Sequence, residues 1–396
     1  MNLFNFKYIS ALFGMGVILF TPHINFFGLF TLKTIFLFPV FLLYLVVVGA
    51  KIPKFFLKMY LISVSLICLI SFPSLYFSYE ILRQISIFIV LSAVIFHFIN
   101  NLLHEKNGLD KLFSLLSVCL IFQATVILLA AFVEGFAENF HSIFMLTERA
   151  ERYITDNVLI NRYSGFSPSG FSILSMYMTF LLVLILNALH SQSVKSKFLH
   201  YFAIVITLIS LIFVGRAGLY LSAIIIIIFF FIRFPIKSVI TFSIVILPVA
   251  IYNFSYFEAL FNDNSLAFAF ELFLSDDFSS VSTDTIFESE LFIPSLSYFG
   301  SGRFTRAEFG ANSDLGWIVF LEAFGIIGTF ILLGIFVYLL FNHTSIRSTW
   351  FPSSILFLAL IFIGNFKDLY FLNSGYIQAV IILITLNYAD YKKRII

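Results

Sequence analysis

The chain has 396 residues, of which 61% are apolar and 11% are charged, and its mean hydropathy is +1.04. A soluble domain carries about 25% charged residues, so this composition predicts an integral membrane protein and excludes an ordinary soluble fold. The formal net charge is only +2, and nothing in the sequence resembles a basic patch for nucleic acid, so we expect no nucleic-acid partner.

Long apolar runs, rather than short alternating segments, follow one another along the chain, which predicts helices and not a barrel of strands. A membrane-spanning helix needs about 20 apolar residues, and breaks at charges and at Pro/Gly clusters give about twelve candidate spans. The candidate spans cover residues 8–22, 32–50, 58–75, 84–100, 112–133, 169–190, 198–214, 218–232, 238–256, 315–341, 351–366 and 372–389. We therefore predict an all-α polytopic membrane protein whose single membrane domain covers residues 1–396.

The cysteines and histidines have no spacing that is typical of a metal site. Cys68 and Cys119 both lie inside apolar runs, and we interpret them as small buried apolar side chains. None of the seven histidines has a partner at ligand spacing. We therefore expect neither a metal nor a cofactor.

Lysine and arginine lie on different sides of the predicted membrane. With the N-terminus in the cytoplasm, 14 of the 23 basic residues fall on the cytoplasmic side, and only three of those are arginine. Of the nine others, seven are arginine, and 18 of the 21 acidic residues lie with them at the outer side. Lysine thus follows the positive-inside rule and places both termini in the cytoplasm. Arginine on the outer side suggests a bound anion, which a guanidinium grips with two parallel hydrogen bonds.

Two predicted outer loops are long, residues 134–168 and residues 257–314, and the other connections are short. Loops of such length are usually functional or disordered. Both loops contain arginine and glycine next to the start of a span, which favours a functional interpretation.

The first loop ends with Arg149, Arg152, Arg162, Tyr163 and Gly165, just before the span that begins near residue 169. A helix that begins here directs its free N–H groups and its positive dipole end outward, which suits a pyrophosphate group beside Arg162. The alternative is that the Ser-Pro-Ser sequence at 167–169 only caps the helix and that Arg162 pairs with Asp156.

Arg216 lies in the sequence Gly-Arg-Ala-Gly between two apolar runs, at or just within the predicted outer boundary of the membrane. An arginine in the apolar core costs roughly 2.5–3.5 kcal/mol on insertion scales, so such a residue is a functional candidate. The alternative is a side chain that extends to the interface from a tight helical hairpin.

The second loop ends with a third set of candidate residues. Arg303 and Arg306 follow a glycine-rich stretch, and Asn312 and Asp314 precede the span over 315–341. Asn312, Ser313 or Asp314 can cap that span, and capping alone is a sufficient explanation for Asp314. Glu322, two turns into the span, is a further ionisable candidate.

The order of these features resembles the O-antigen polymerases (Wzy-type) and the related O-antigen ligases of bacterial envelopes. The shared motifs are R-x-x-G from Arg162 to Gly165, G-R-A-G around Arg216, and NSDLGW…LEAFGIIGT from Asn312 to Thr329. The ligases carry a histidine at the start of the last of these spans. This chain has Asn-Ser-Asp at 312–314 instead, which favours the polymerase.

The resemblance implies a C-type glycosyltransferase fold in the bacterial inner membrane, with an active site on the periplasmic side and no metal. It implies undecaprenyl-pyrophosphate-linked glycans as substrates, surrounding membrane lipids, and a chain-length regulator protein as a further candidate partner. The family's functional arginines correspond to Arg162, Arg216 and either Arg303 or Arg306.

The expected reaction joins lipid-linked oligosaccharide repeat units into O-antigen or a related surface polysaccharide. The arginines would stabilise the departing pyrophosphate, and Asp314, or else Glu308, would accept the proton of the acceptor hydroxyl group. Tyr163 and other outer aromatic residues would stack on sugars or anchor the chain at the interface. The alternatives are an O-antigen ligase and a flippase or other transporter of lipid-linked oligosaccharides, which would have charged residues around a central cavity.

Overall fold

The computed structural model describes most of the helical part of the chain. The described residues are 6–20, 23–26, 30–32, 34–49, 54, 57–58, 61–62, 65, 79–145, 163, 165–167, 171–190, 194–195, 197–233, 297–301, 316–342, 344, 346, 348–365 and 374–395.

Within those residues the chain forms eleven α-helices. They are α1 (Phe6–Phe20), α2 (Thr34–Val47), α3 (Tyr79–His104), α4 (Gly108–Phe132), α5 (Phe136–Ile143), α6 (Phe171–His190), α7 (Lys197–Ile212), α8 (Arg216–Arg233), α9 (Gly316–Phe341), α10 (Phe351–Gly364) and α11 (Ser374–Ile395). Three short strands, β1 (His23–Phe26), β2 (Phe30–Leu32) and β3 (Phe144–Met145), form a sheet in the order β2-β1-β3. β1 and β3 are antiparallel, with His23 opposite Met145.

Three stretches of helix are long and apolar enough to cross a membrane: Gly108–Phe132, Ile173–His190 and Gly316–Phe341. Five more helical stretches in the described residues are apolar but shorter. The predicted helical, membrane-type character is therefore confirmed. Described helices overlap ten of the candidate spans. The total of about twelve spans stays a prediction, because the span over 238–256 and most of the span over 58–75 lie outside the described residues.

The contacts of the chain divide it into two compact units, one of Met1–Thr31 with Phe113–Ser280 and the other of Leu32–Leu112 with Val281–Ile396. In the first unit α6 is the central helix and packs against α7 and α8. Nearly all side chains of α6 after its first turn are buried, among them Phe180, at 0% exposure. An apolar helix that is buried on all sides belongs to the core of its unit.

In the second unit α3 packs against α2 and α11, and α9, α10 and α11 contact one another. Polar side chains join the ends of these helices. Asn387 Nδ2 donates a hydrogen bond to Ser354 Oγ at 3.0 Å. Asp390 Oδ2 accepts hydrogen bonds from Ser348 Oγ at 2.7 Å and from Arg394 at 2.9 Å.

The segment predicted as the loop 134–168 contains regular structure. Residues 136–143 form α5, and residues 144–145 form β3. An eight-residue helix is far shorter than the roughly 20 apolar residues that a membrane span needs, so the search for spans does not find it. Its apolar residues stand out only when the sequence is read with the period of a helix.

Candidate functional site

Two of the predicted arginine-containing stretches approach each other in the first unit. The backbone N–H of Tyr163 donates a hydrogen bond to the carbonyl oxygen of Phe213 at 3.0 Å. Tyr163 directly follows Arg162, and Phe213 lies in the turn just before Arg216, the first residue of α8. The structure therefore brings the chain at Tyr163 to the turn from which α8 begins.

The predicted Gly165 has a conformation and an environment that require glycine. Its φ angle is +56°, in the left-handed region, and the residue is buried. A Cβ atom at this position would lie 2.7 Å from the side-chain nitrogen of Gln123. Any larger residue would therefore strain the backbone and displace the Gln123 amide.

Gln123, in the middle of α4, holds the other side of this turn. Its side chain has 0% exposure, and its Oε1 accepts a hydrogen bond from the backbone N–H of Phe166 at 2.9 Å. Sequence reasoning missed this residue because a single amide does not interrupt an apolar run. The residue could have been found from the rule that a polar side chain inside a membrane helix needs a hydrogen-bond partner. Residues 163 and 165–167, which we call the Tyr163 segment, are thus attached to both α4 and the turn before α8.

Replacement of Gln123 by leucine is expected to loosen the Tyr163 segment. Leucine has about the same side-chain volume as glutamine but removes the acceptor for Phe166 N–H, and a buried unsatisfied donor costs about 1–3 kcal/mol. This cost makes local opening of the Tyr163 segment easier. We therefore expect chymotrypsin to cut the purified protein next to Tyr163 and Phe166 about tenfold faster.

The matched control is Phe122→Leu, since Phe122 is the neighbouring residue and its side chain is 55% exposed. Its cleavage rate should equal that of the wild type. Equal rates for Gln123→Leu and the wild type would show that Gln123 does not hold the segment.

A seam of small and hydroxyl residues fixes the first turns of α8 against α6. The backbone of Gly218 is so close to that of Ser175 that an added Cβ would overlap it. Thr179 Oγ1 lies 2.9 Å from Ser175 O, 3.1 Å from Gly218 O and 2.8 Å from Ser222 Oγ. Small residues that allow close backbone approach and hydroxyl groups that bond across helices are typical of packing in membranes. The seam sets the position of the helix end that starts at Arg216.

The first-turn N–H groups of α8 lie at this same end. The first helical hydrogen bond of α8 runs from Leu219 N–H to Gly215 O, at 3.3 Å. The amides of residues 216–218 precede that bond and are not part of the helical ladder. The start of α8 therefore has the amide and dipole arrangement that suits an anion.

In the second unit, residues 297–301, which we call the Gly300 segment, lie against an interruption in α9. Gly325 has φ 65° and ψ −179°, which is not helical. Ile326 N–H donates to Ser297 O at 3.1 Å, and Ile327 N–H donates to Tyr298 O at 3.3 Å. The sequence predicted one span over 315–341 and gave no sign of this interruption, because a glycine is tolerated inside an apolar helix.

The Gly300 segment also bonds to the first half of α9. Ser301 N–H donates to the carbonyl oxygen of Glu322 at 2.7 Å, and a side chain on Gly300 would overlap the backbone of Ala323. Backbone groups released by an interrupted membrane helix must find partners within the protein, and this segment supplies them. The chain reaches Arg303 two residues after Ser301.

Besides Glu322, Tyr163 is the predicted ionisable site residue whose side chain the structure describes. It is half-buried, and burial raises the pKa of its phenol above the usual value of 10.0. The phenol is therefore neutral at neutral pH, which suits both predicted roles, stacking on a sugar and anchoring at the interface.

Most predicted site residues lie outside the described residues, so their roles stay predictions. This holds for Asp314, Glu308, Arg149, Arg152, Arg162, Arg303, Arg306 and Asn312. For Arg216 the structure gives the backbone position, at the start of α8, and not the side chain. Among the described residues no group of three or more His, Cys, Asp and Glu side chains has the arrangement of a metal site.

No family model, curated protein or solved structure matches the chain. The described residues define a helical protein with helices long and apolar enough to cross a membrane. Its activity is the subject of the proposal that follows.

Proposed function

We propose that this chain is a glycosyltransferase of the bacterial inner membrane that polymerises undecaprenyl-pyrophosphate-linked oligosaccharide repeats on the periplasmic face. The observation that carries the proposal is the hydrogen bond from Tyr163 N–H to Phe213 O. It joins the R-x-x-G stretch to the G-R-A-G turn, the two motifs on which the resemblance to the O-antigen polymerases depends.

The reaction needs little covalent chemistry from the protein. The acceptor hydroxyl oxygen bonds to the anomeric carbon of the donor chain, and the bond from that carbon to the pyrophosphate oxygen breaks. The electron pair leaves with undecaprenyl pyrophosphate, and the hydroxyl proton passes to a base. The protein holds two lipid-linked substrates together, which raises their effective concentration.

The leaving group is where the arginines act. Negative charge grows on the pyrophosphate as the bond breaks, and preorganised donors at that place lower the barrier. We propose Arg216 and the first-turn amides of residues 216–218 as such donors, because α8 begins at Arg216. Arg162, which directly precedes Tyr163 in the sequence, is the second proposed donor. Arg303 or Arg306 is the third proposed donor, and Asp314, then Glu308, is the proposed base.

Transport of lipid-linked oligosaccharides is a second candidate function, and the interruption of α9 at Gly325 favours it. Many transporters build their substrate sites from helices that are broken near the middle of the membrane. In α9 the two amides after Gly325 bond to Ser297 and Tyr298, so they are already satisfied within the protein. A transporter would also have charged residues around a central cavity. Of the Asp, Glu, Lys and Arg residues in the described helices, only Glu322 lies away from a helix end, which favours the polymerase over the transporter.

Deletion of the gene distinguishes these functions in cells. Loss of a polymerase leaves single repeat units and removes the ladder of longer chains on the surface polysaccharide, and this is the result we expect. Loss of a transporter removes single repeats as well, because no substrate reaches the periplasm. Loss of a ligase leaves long chains on the lipid carrier. Either of the last two results would contradict the proposal.

A further inference from the structure

The short helix α5 starts at the edge of the membrane. α4 is a candidate span of 25 residues, so at 1.5 Å per residue it is about 37 Å long and exceeds the hydrocarbon thickness of about 30 Å. α5 begins four residues after Phe132, the last residue of α4. Gly135, with φ 72°, redirects the chain between the two helices. α5 therefore begins within a few residues of the membrane boundary.

The two sides of α5 differ in chemistry. Glu138 and Ser142, four residues apart, are exposed and form a polar face, and the exposed Asn139 lies at the edge of that face. Phe136 and Phe140 are partly buried on the other side, and their rings stack with centroids 5.7 Å apart.

Exposed apolar side chains lie before and at the end of α5. Phe132 is 72% exposed, Val133 is 47% exposed and Ile143 is 43% exposed. A short helix with one polar and one aromatic face, next to the exposed end of a membrane helix, has the character of an interfacial helix.

The charge of α5 decides how it would bind lipid. Residues 134–145 contain Glu134 and Glu138 and no lysine or arginine. His141 is the remaining ionisable residue there, and burial lowers its pKa, partly offset by a hydrogen bond from Nδ1 to Phe144 O at 3.4 Å. The ring is therefore neutral at neutral pH. Without a cation the helix has no attraction to anionic headgroups, so apolar burial must drive its membrane contact.

α5 is also attached to the candidate site. The ring of Phe166 lies edge-on to the rings of Phe140 and Phe144, with centroids 5.3 and 5.1 Å apart. The backbone N–H of Phe166 is the group that bonds to Gln123. The depth of α5 in the membrane thus fixes the depth of the Tyr163 segment.

We propose that α5 lies in the lipid headgroup layer, with its aromatic side and Ile143 towards the acyl chains and its polar face towards water. Its partner is the phospholipid surface itself, bound through apolar contact and not through charge. The Tyr163 segment is held at headgroup depth as a consequence. This proposal concerns lipid contact alone and stands whether or not the protein is a transferase.

Spin labels on the full-length protein in phosphatidylcholine liposomes test it. Cys68 and Cys119 are replaced by alanine, and single cysteines are introduced as Ile143→Cys and Glu138→Cys, which lie about 140° apart around the helix axis. The lipid control is Phe122→Cys, on the exposed side of α4, and the water control is Lys106→Cys, in the exposed turn between α3 and α4. Collision rates are measured with oxygen, which concentrates in lipid, and with a neutral nickel chelate, which stays in water.

We expect the oxygen-to-nickel ratio at position 143 to be severalfold higher than at position 138, close to the lipid control, and position 138 to match the water control. Two water-like positions would show that α5 stands clear of the membrane, and two lipid-like positions would show that it is inserted. Both results would overturn the proposal. Addition of anionic lipid should leave the ratios unchanged, and a rise at position 143 would contradict binding by apolar contact.

Discussion

Arg216→Ala is expected to abolish long surface polysaccharide while the protein stays at its normal level in the membrane. If Arg216 stabilises the departing pyrophosphate, its removal should slow transfer by about 10²–10³-fold, the usual cost of losing one preorganised donor. Alanine is the best helix former, so the first turn of α8 should persist. The checks are the length distribution of the polysaccharide and the amount of protein in the membrane fraction.

Arg216→Lys separates charge from geometry at the same position. Lysine keeps the positive charge but loses the planar fork that bonds to two phosphate oxygens at once. We therefore expect shortened chains rather than none.

The matched control is Arg233→Ala, at the opposite end of the same helix and on the predicted cytoplasmic side. It should make polysaccharide of normal length. If both Arg216 variants also make chains of normal length at normal protein level, the role in binding pyrophosphate is wrong.

Gly218→Val is expected to have the largest effect on stability. A Cβ at this position overlaps the backbone of Ser175, which is part of the buried core and has no room to move aside. Valine would push α8 away from α6 and break the bonds from Thr179 to Gly218 O and Ser222. Overpacking alone costs about 1–3 kcal/mol, and the lost hydrogen bonds add to it. We expect a lower melting temperature in detergent and a loss of polysaccharide.

Gly334→Ala is the control for this prediction, because Gly334 also lies in a long apolar helix, and an added Cβ would meet no atom within 4 Å other than the neighbouring backbone of its own helix. Alanine is favoured over glycine inside a helix by about 1 kcal/mol, so this variant should be as stable as the wild type or more so. A Gly218→Val protein that melts at the wild-type temperature would show that α6 and α8 are not held by this close approach.

The helices could be predicted from the sequence because hydropathy is a strong signal over about 20 residues. The break between α7 and α8 was also predictable, since Gly-Arg-Ala-Gly interrupts two apolar runs, and α8 does begin at Arg216. The helical character is therefore confirmed, and the boundaries agree within a few residues.

Other features depend on contacts between distant parts of the chain, which local patterns do not contain. The interruption at Gly325 is stabilised by carbonyl groups of the Gly300 segment, more than 20 residues earlier. Gln123 has a role only because Phe166 lies opposite it. Gly165 was predicted from a motif, and the structure adds the physical reason, a left-handed φ angle next to the Gln123 amide. The remaining arginines and the base stay predictions, because they lie outside the described residues.

The most direct test of the proposed activity uses the purified protein in proteoliposomes with a single undecaprenyl-pyrophosphate-linked repeat unit and no other acceptor. Each new glycosidic bond releases one undecaprenyl pyrophosphate, so both products are measured, the glycan ladder on a gel and the free carrier by chromatography. We predict lipid-linked chains of increasing length with one carrier released for each bond. A repeat unit that stays unchanged, with no carrier released, would contradict the account.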